Sequence, residues 1–227
     1  SGALLLLLLL TLSGCFFREP EDLYQSPEQS ADYLSLTQTI RNVKDSLAQE
    51  YGVEVEDVSV MSGDNTALIQ LQDLDRDGER ETAVTFFRVS EAEKPLKIYF
   101  FTRTAEDTYT VSAMVEGNGT AIYRVDYVDL NGSGCKEVVV SWQMSTGVYL
   151  LGAYSLEEAM VRSLQYAASA PAGSASAQGL PDREALRATE WMTTVYDNYA
   201  LYDLDQDTRT ELAVVRVDKA GTNSAVD

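Results

Sequence analysis

From about Ser35 to Gln49 the apolar residues Leu36, Ile40, Val43 and Leu47 recur at spacings of three and four, one face of an amphipathic helix. Gly52 supplies a stop signal just beyond. The pattern predicts a helix that packs on the edge or face of a neighbouring β region. From about Val53 the period changes. ALIQLQ, TAVTFFRV, LKIYFFTR, TYTVSAMV, AIYRVDYV, EVVVSWQM and VYLLGAYS are alternating or continuous runs rich in β-branched and aromatic residues. The turn clusters SGDN, EGNG, NGSG and STG punctuate them. Short strands with repeating signals predict an all-β repeat region.

Within that region one polar pattern occurs three times, each time running into an apolar strand. The copies are DLDRDGERE (Asp73 to Glu81), DLNGSGCKE (Asp129 to Glu137) and DLDQDTRTE (Asp203 to Glu211). The runs TAVTFF, VVVSWQ and LAVVRV come directly after them. The first two copies are 56 residues apart and the last two 74. The longer interval holds YAASAPAGSASAQGLP, which has little to bury and reads as a flexible insertion. Without that excess the period returns to the fifties, enough for the four strands of one β-propeller blade. DREALRA, after Pro181, is predicted to make two helical turns.

The expected fold is therefore all-β: partial β-propeller-like repeats, two blades plus part of a third, with an N-terminal helix. The expected boundaries are a tether and helix over 15–52, two β repeats over 53–165, an insertion over 166–190 and a truncated third repeat over 191–227. An incomplete third unit implies a fragment or an open curved sheet, since closed propellers need at least four blades.

Charge narrows the function. With 17 basic and 36 acidic residues the formal net charge is -19, which repels nucleic acid and anionic lipid and attracts cations. Histidine is absent, so imidazole-based triads and the usual zinc sites are excluded. A metal would have to be a hard cation held by oxygen.

The N-terminus adds an address. SGALLLLLLLTLSGC is too short an apolar run for a bilayer span, which needs ~20 residues, but it suits the core of a signal peptide over 1–14. Leu12-Ser13-Gly14-Cys15 resembles a bacterial lipobox, which would make Cys15 the lipid anchor and the mature N-terminus. The chain opens without Met or a basic segment, so its first residues are expected to be missing. Cys135 then has no intramolecular partner and reads as a small neutral loop residue.

The acidic loop carries the chemistry. Oxygen ligands at positions 1, 3, 5 and 9 repel one another unless protons or a cation relieve them. A hard divalent ion takes six to eight oxygens, and alternate side chains on a tight loop form half of such a cage. The candidate ligands are Asp73, Asp75, Asp77 and Glu81; Asp129, Asn131, Ser133 and Glu137; and Asp203, Asp205, Asp207 and Glu211. The second set loses two charges, and the third has Thr208 where the others have glycine. The competing reading is that Asp and Asn simply build tight turns through their own backbone hydrogen bonds. An EF-hand is disfavoured because position 12 is Val84, Val140 or Val214 and the loop leads into a strand.

The pattern D-x-[DN]-x-[DS]-[GT]-x-x-E between strands resembles the FG-GAP/VCBS-type β-propeller repeat, over about Ala67 to Val217. With the lipobox, the chain looks like VCBS-repeat lipoproteins of Gram-positive bacteria. That resemblance implies calcium (Ca2+) in the loops and display outside the cell membrane. Closing each loop with Glu rather than the commoner Asp departs from the family, and the longer side chain can instead hold backbone N–H groups. Trp142, Trp191 and the 13 tyrosines read first as core and cross-strand residues. The expected function is a non-enzymatic binding or scaffold module, with a glycan or protein as ligand. The alternative is the supporting part of an extracellular enzyme whose active site lies elsewhere.

Overall fold

In the computed structural model, residues 31–104, 108–169, 182–207 and 209–217 are described. The predicted N-terminal helix is α1 (Ala31–Tyr51), two to four residues longer at each end than the apolar spacing marks. Its stripe Leu36, Val43 and Leu47 is buried, and Ile40 packs beside it. Gly52 stands just after it in the left-handed region at φ +70°, and its N–H closes the helix on the Ala48 carbonyl at 2.9 Å.

The strands come in three groups. The first holds β1 (Glu56–Asp57), β2 (Ile69–Gln72), β3 (Thr82–Arg88), β4 (Leu96–Arg103) and β5 (Tyr109–Gly117). It is an antiparallel sheet in which β1 and β2 share one edge of β3, and β4 and β5 continue from the other. The second group holds β6 (Ala121–Val128), β7 (Glu137–Ser145), β8 (Val148–Ser155) and β9 (Thr189–Tyr196), an antiparallel meander in chain order. The third is the antiparallel hairpin of β10 (Asn198–Tyr202) and β11 (Glu211–Val215). Between β8 and β9 lie the helices α2 (Glu157–Ser169) and α3 (Arg183–Leu186).

Side-chain alternation explains how these pieces stack. On β4, Leu96, Ile98 and Phe100 face one core while Tyr99 and Phe101 face another. The first core joins β3, β4 and β5 to Val138, Val140 and Trp142 of β7, so the two sheets pack face to face. The second core joins the opposite face of the first sheet to α1 and to Leu186 of α3. A third, smaller cluster covers the far face of the second sheet: Val139, Leu151, Ala153 and Tyr196, with Leu201, Leu212 and Val214 of the hairpin against them. The order of layers is helix, sheet, sheet, hairpin. No closed barrel or propeller ring is formed among the described residues.

Three boundaries differ from the sequence-based expectation. Flexible sequence was expected from residue 166, which overlooked α2; that helix begins at Glu157 and opens with the acidic pair Glu157 and Glu158 in its first turn. The DREALRA segment makes one helical turn, Arg183–Leu186, not two. The stretch assigned to the start of a third repeat at 191 is β9, the fourth strand of the second sheet. The third unit therefore begins at Asn198, and the insertion interrupts the second sheet instead of lying beyond it. The signal segment, Cys15, the tether, most of the Ala/Ser/Gly/Pro stretch and Thr208 lie outside the described residues.

Candidate functional site: the acidic hairpin loops

Each acidic loop joins two antiparallel neighbouring strands: β2 to β3, β6 to β7, and β10 to β11. All three are therefore hairpin loops, and their hydrogen bonds recur. The position 3 oxygen accepts from the position 5 N–H in all three, as Asp75 from Asp77 (3.3 Å), Asn131 from Ser133 (2.6 Å) and Asp205 from Asp207 (3.2 Å). The position 5 oxygen accepts from the position 7 N–H, as Asp77 from Glu79, Ser133 from Cys135 and Asp207 from Arg209. These are side-chain-capped turns, which Asp, Asn and Ser make readily. Asp73 and Asp129 also accept from the N–H of Gly78 and Gly134, both at 3.1 Å.

The backbone shares a feature that the ligand spacing did not reveal. Position 4 is left-handed in every copy: Arg76 at φ 61°, Gly132 at φ 72° and Gln206 at φ 62°. Only the second copy uses glycine there; Arg76 and Gln206 hold a conformation that costs an L-residue about 1–2 kcal/mol. The glycine in copy two was the one sequence signal for it.

The loops differ in how their oxygens are used. In the first, Asp73, Asp75, Asp77 and Glu81 each bring a carboxylate oxygen within 4.8 Å of the others, and Asp203, Asp205, Asp207 and Glu211 do the same in the third. Either group could hold a metal ion. In the first loop Asp73 Oδ1 and Glu81 Oε2 are also buried without a hydrogen-bond partner among the described residues. Orphaned buried carboxylate oxygens are costly unless a cation or proton meets them.

The closing Glu behaves differently in the other two. Glu137 Oε2 accepts from Leu130 N–H at 2.7 Å and its Oε1 from Asn131 Nδ2 at 3.1 Å. Glu211 Oε2 accepts from Leu204 N–H at 2.6 Å. The longer side chain thus holds backbone in copies two and three, as its length allows. Burial pushes the Glu137 carboxyl up, against the opposing pull of the Leu130 N–H.

The second loop is further closed by its neighbours. Arg76 Nη1 reaches Asp129 Oδ2 at 3.1 Å, and Asp129 Oδ1 takes the Gly132 N–H at 2.7 Å. Ser133 Oγ donates to Glu157 Oε1 at 2.9 Å. Lys136 donates from Nζ to the Asp73 carbonyl at 2.6 Å and from N–H to the Leu74 carbonyl at 2.7 Å, binding loop two to loop one. A guanidinium thus stands beside the position 1 carboxylate of loop two. Arg76 and Lys136 were not singled out from sequence, because nothing in their spacing shows that consecutive loops touch. Cys135 is a free thiol that burial and Glu157 push up, consistent with a loop residue and not a nucleophile.

The aromatic residues divide as their strands predict. Trp142 is wholly inside the first core and donates to Tyr154 Oη at 3.2 Å. Tyr123, Tyr149, Tyr196 and Tyr199 form a ladder with ring centroids 4.7, 6.0 and 5.3 Å apart on the far face of the second sheet. Arg124 caps it, its guanidinium 5.3 Å from the Tyr199 ring. Trp191 is exposed on β9.

These features define a class, an antiparallel β-sheet protein with an N-terminal helix and acidic hairpin loops. Compared with known proteins, the chain matches no family model, no curated protein and no solved structure. Among the described residues no helix is long and apolar enough to cross a membrane.

Proposed function

We propose that this chain is a cell-surface lipoprotein of the FG-GAP/VCBS repeat type, whose calcium-binding hairpin loops stiffen a β scaffold that serves as a binding module and not as an enzyme. The observation that carries the metal reading is the convergence of four carboxylates in loops one and three, with Asp73 Oδ1 and Glu81 Oε2 left buried and unpartnered among the described residues. All donors are oxygen, which favours calcium or a similar hard cation over zinc or copper. Loop two, with an amide, a hydroxyl and an arginine among its groups, holds itself together without an ion. The expected stoichiometry is two calcium ions per chain. Repeat membership is supported by three loops of one pattern, each joining two antiparallel strands in successive strand groups. Anchoring is supported by the lipobox-like Leu12-Ser13-Gly14-Cys15 alone.

The test is thermal unfolding of the soluble form from residue 20 onward, in calcium and in chelator. A ligand that binds only the folded state at a hundredfold excess over its Kd adds about 2.7 kcal/mol per site. The midpoint should therefore rise in calcium, and Asp73→Asn with Glu81→Gln should abolish part of the rise. An unchanged midpoint together with no metal by elemental analysis rejects the reading. For the anchor, Cys15→Ala in the full precursor should abolish lipid labelling and membrane retention; persistent labelling refutes it.

A further inference from the structure

A cleft of about 420 Å³ is lined by residues from all three acidic loops: Arg76 from the first, Asp129, Gly132 and Lys136 from the second, Arg209 and Thr210 from the third. Its charge is opposite to that of the molecule around it. Three of these residues are cations and one is an acid, in a chain with 36 acids and 17 bases. The acid is already engaged, since Asp129 accepts from Gly132 N–H, Gly134 N–H and Arg76. Lys136 spends one donor on the Asp73 carbonyl, and an ammonium has three. The Arg209 guanidinium has no hydrogen-bond or ion-pair partner among the described residues. It lies over Gly132, where an added Cβ would sit 3.2 Å from Arg209 Nε. Among the described residues, the cleft thus holds charged N–H donors of Arg209 and Lys136 for which no protein acceptor is present.

We propose that this cleft binds an oxyanion group (carboxylate or sulfate) carried by a small ligand. Arginine presents paired N–H donors that match a planar carboxylate or a tetrahedral oxyanion, and Lys136 adds a point charge beside them. The volume falls in the range of small-molecule sites, larger than a bare ion requires. The site does not need a metal in the loops, so its test is independent of the calcium reading.

The experiment is a titration of the ¹⁵N-labelled soluble chain, stripped of calcium by a chelator that is then dialysed away, with sodium sulfate and separately with sodium glucuronate, at ionic strength held constant with chloride. Saturable shifts at the amides of Gly132, Lys136 and Arg209 are expected, weakened at least fivefold by Arg209→Gln. That variant keeps the backbone N–H that caps Asp207 and alters an exposed side chain, so it should fold. Arg80→Gln, an exposed change in loop one outside the cleft, should leave binding unaltered. A stronger response to glucuronate indicates a sugar-borne carboxylate; equal responses indicate recognition of the anionic group alone. Shifts that do not saturate, that chloride reproduces, or that Arg209→Gln leaves intact overturn the proposal.

Discussion

Glu116 and Lys97 show how a single buried contact can set a stability profile. The Lys97 side chain is fully buried, and its ammonium donates to Glu116 at 2.5 Å and to the Lys94 carbonyl at 3.1 Å. Arg183 and Arg187 each reach Glu116 at 3.2 Å, and Arg183 also pairs with Glu50 at the end of α1. Burial alone pushes the Glu116 carboxyl up, but Lys97 and the two guanidiniums outweigh it and hold the carboxyl below its usual range. A carboxyl lowered in the folded state stabilises the fold above its unfolded value of about 4.3, and that contribution is lost as pH falls through the lowered folded value. Acid unfolding should therefore be flatter with pH in Glu116→Gln than in the parent. At neutral pH that variant leaves a buried ammonium poorly paired and should lose about 3–5 kcal/mol, read from urea melts. Gly117 is a second sensitive residue, since a Cβ there would lie 2.5 Å from the Trp142 ring. Gly117→Ala should cost about 1–3 kcal/mol through overpacking, with the loss reduced in a Trp142→Phe background.

At the scale of elements, the strand runs and the first helix were legible because each carries its own period. The apolar positions of α1 and the alternation on β4 are local facts that packing then used. The segment Glu157–Ser169 was not read as a helix: its buried positions include Ala159, a small residue with a weak hydrophobic signal, and the polar Ser163. Ser163 is buried because its hydroxyl donates to the Val111 carbonyl of β5 at 2.9 Å. The pairing of β9 with β8 was equally hidden, since it spans the helices and depends on strand edges meeting in space. Hydrogen exchange should register this arrangement. Amides of β7 and β8 should be the slowest of the second sheet, with β9 protected alongside them, while the two-stranded β10–β11 hairpin exchanges faster.

For the whole molecule, charge and layering act against each other. Face-to-face packing of two sheets buries a continuous core from Val84 and Phe100 to Val140 and Trp142. Around it lies a surface of net charge -19, whose self-repulsion weakens the compact state. Adding sodium chloride in the presence of chelator should raise the melting temperature by screening that repulsion. Under the proposed calcium reading, calcium at constant ionic strength should raise it further by relieving the carboxylates gathered in loops one and three. A calcium effect no larger than that of an equal ionic strength of sodium chloride would reduce the acidic loops to ordinary turns.

The periodic parts of the molecule are written in the chain: the amphipathic helix, the strands, and a thrice-repeated acidic turn with its oxygens at positions 1, 3, 5 and 9. They come from local geometry, in which side-chain direction is set by neighbours a few residues away. What each copy of the turn can do was settled by packing. Loop one keeps two buried oxygens without partners among the described residues, while loop two receives Arg76 and its Glu137 is turned onto backbone. Those outcomes depend on which loops lie beside one another. No pattern within nine residues records that, because the contacts join residues more than fifty positions apart.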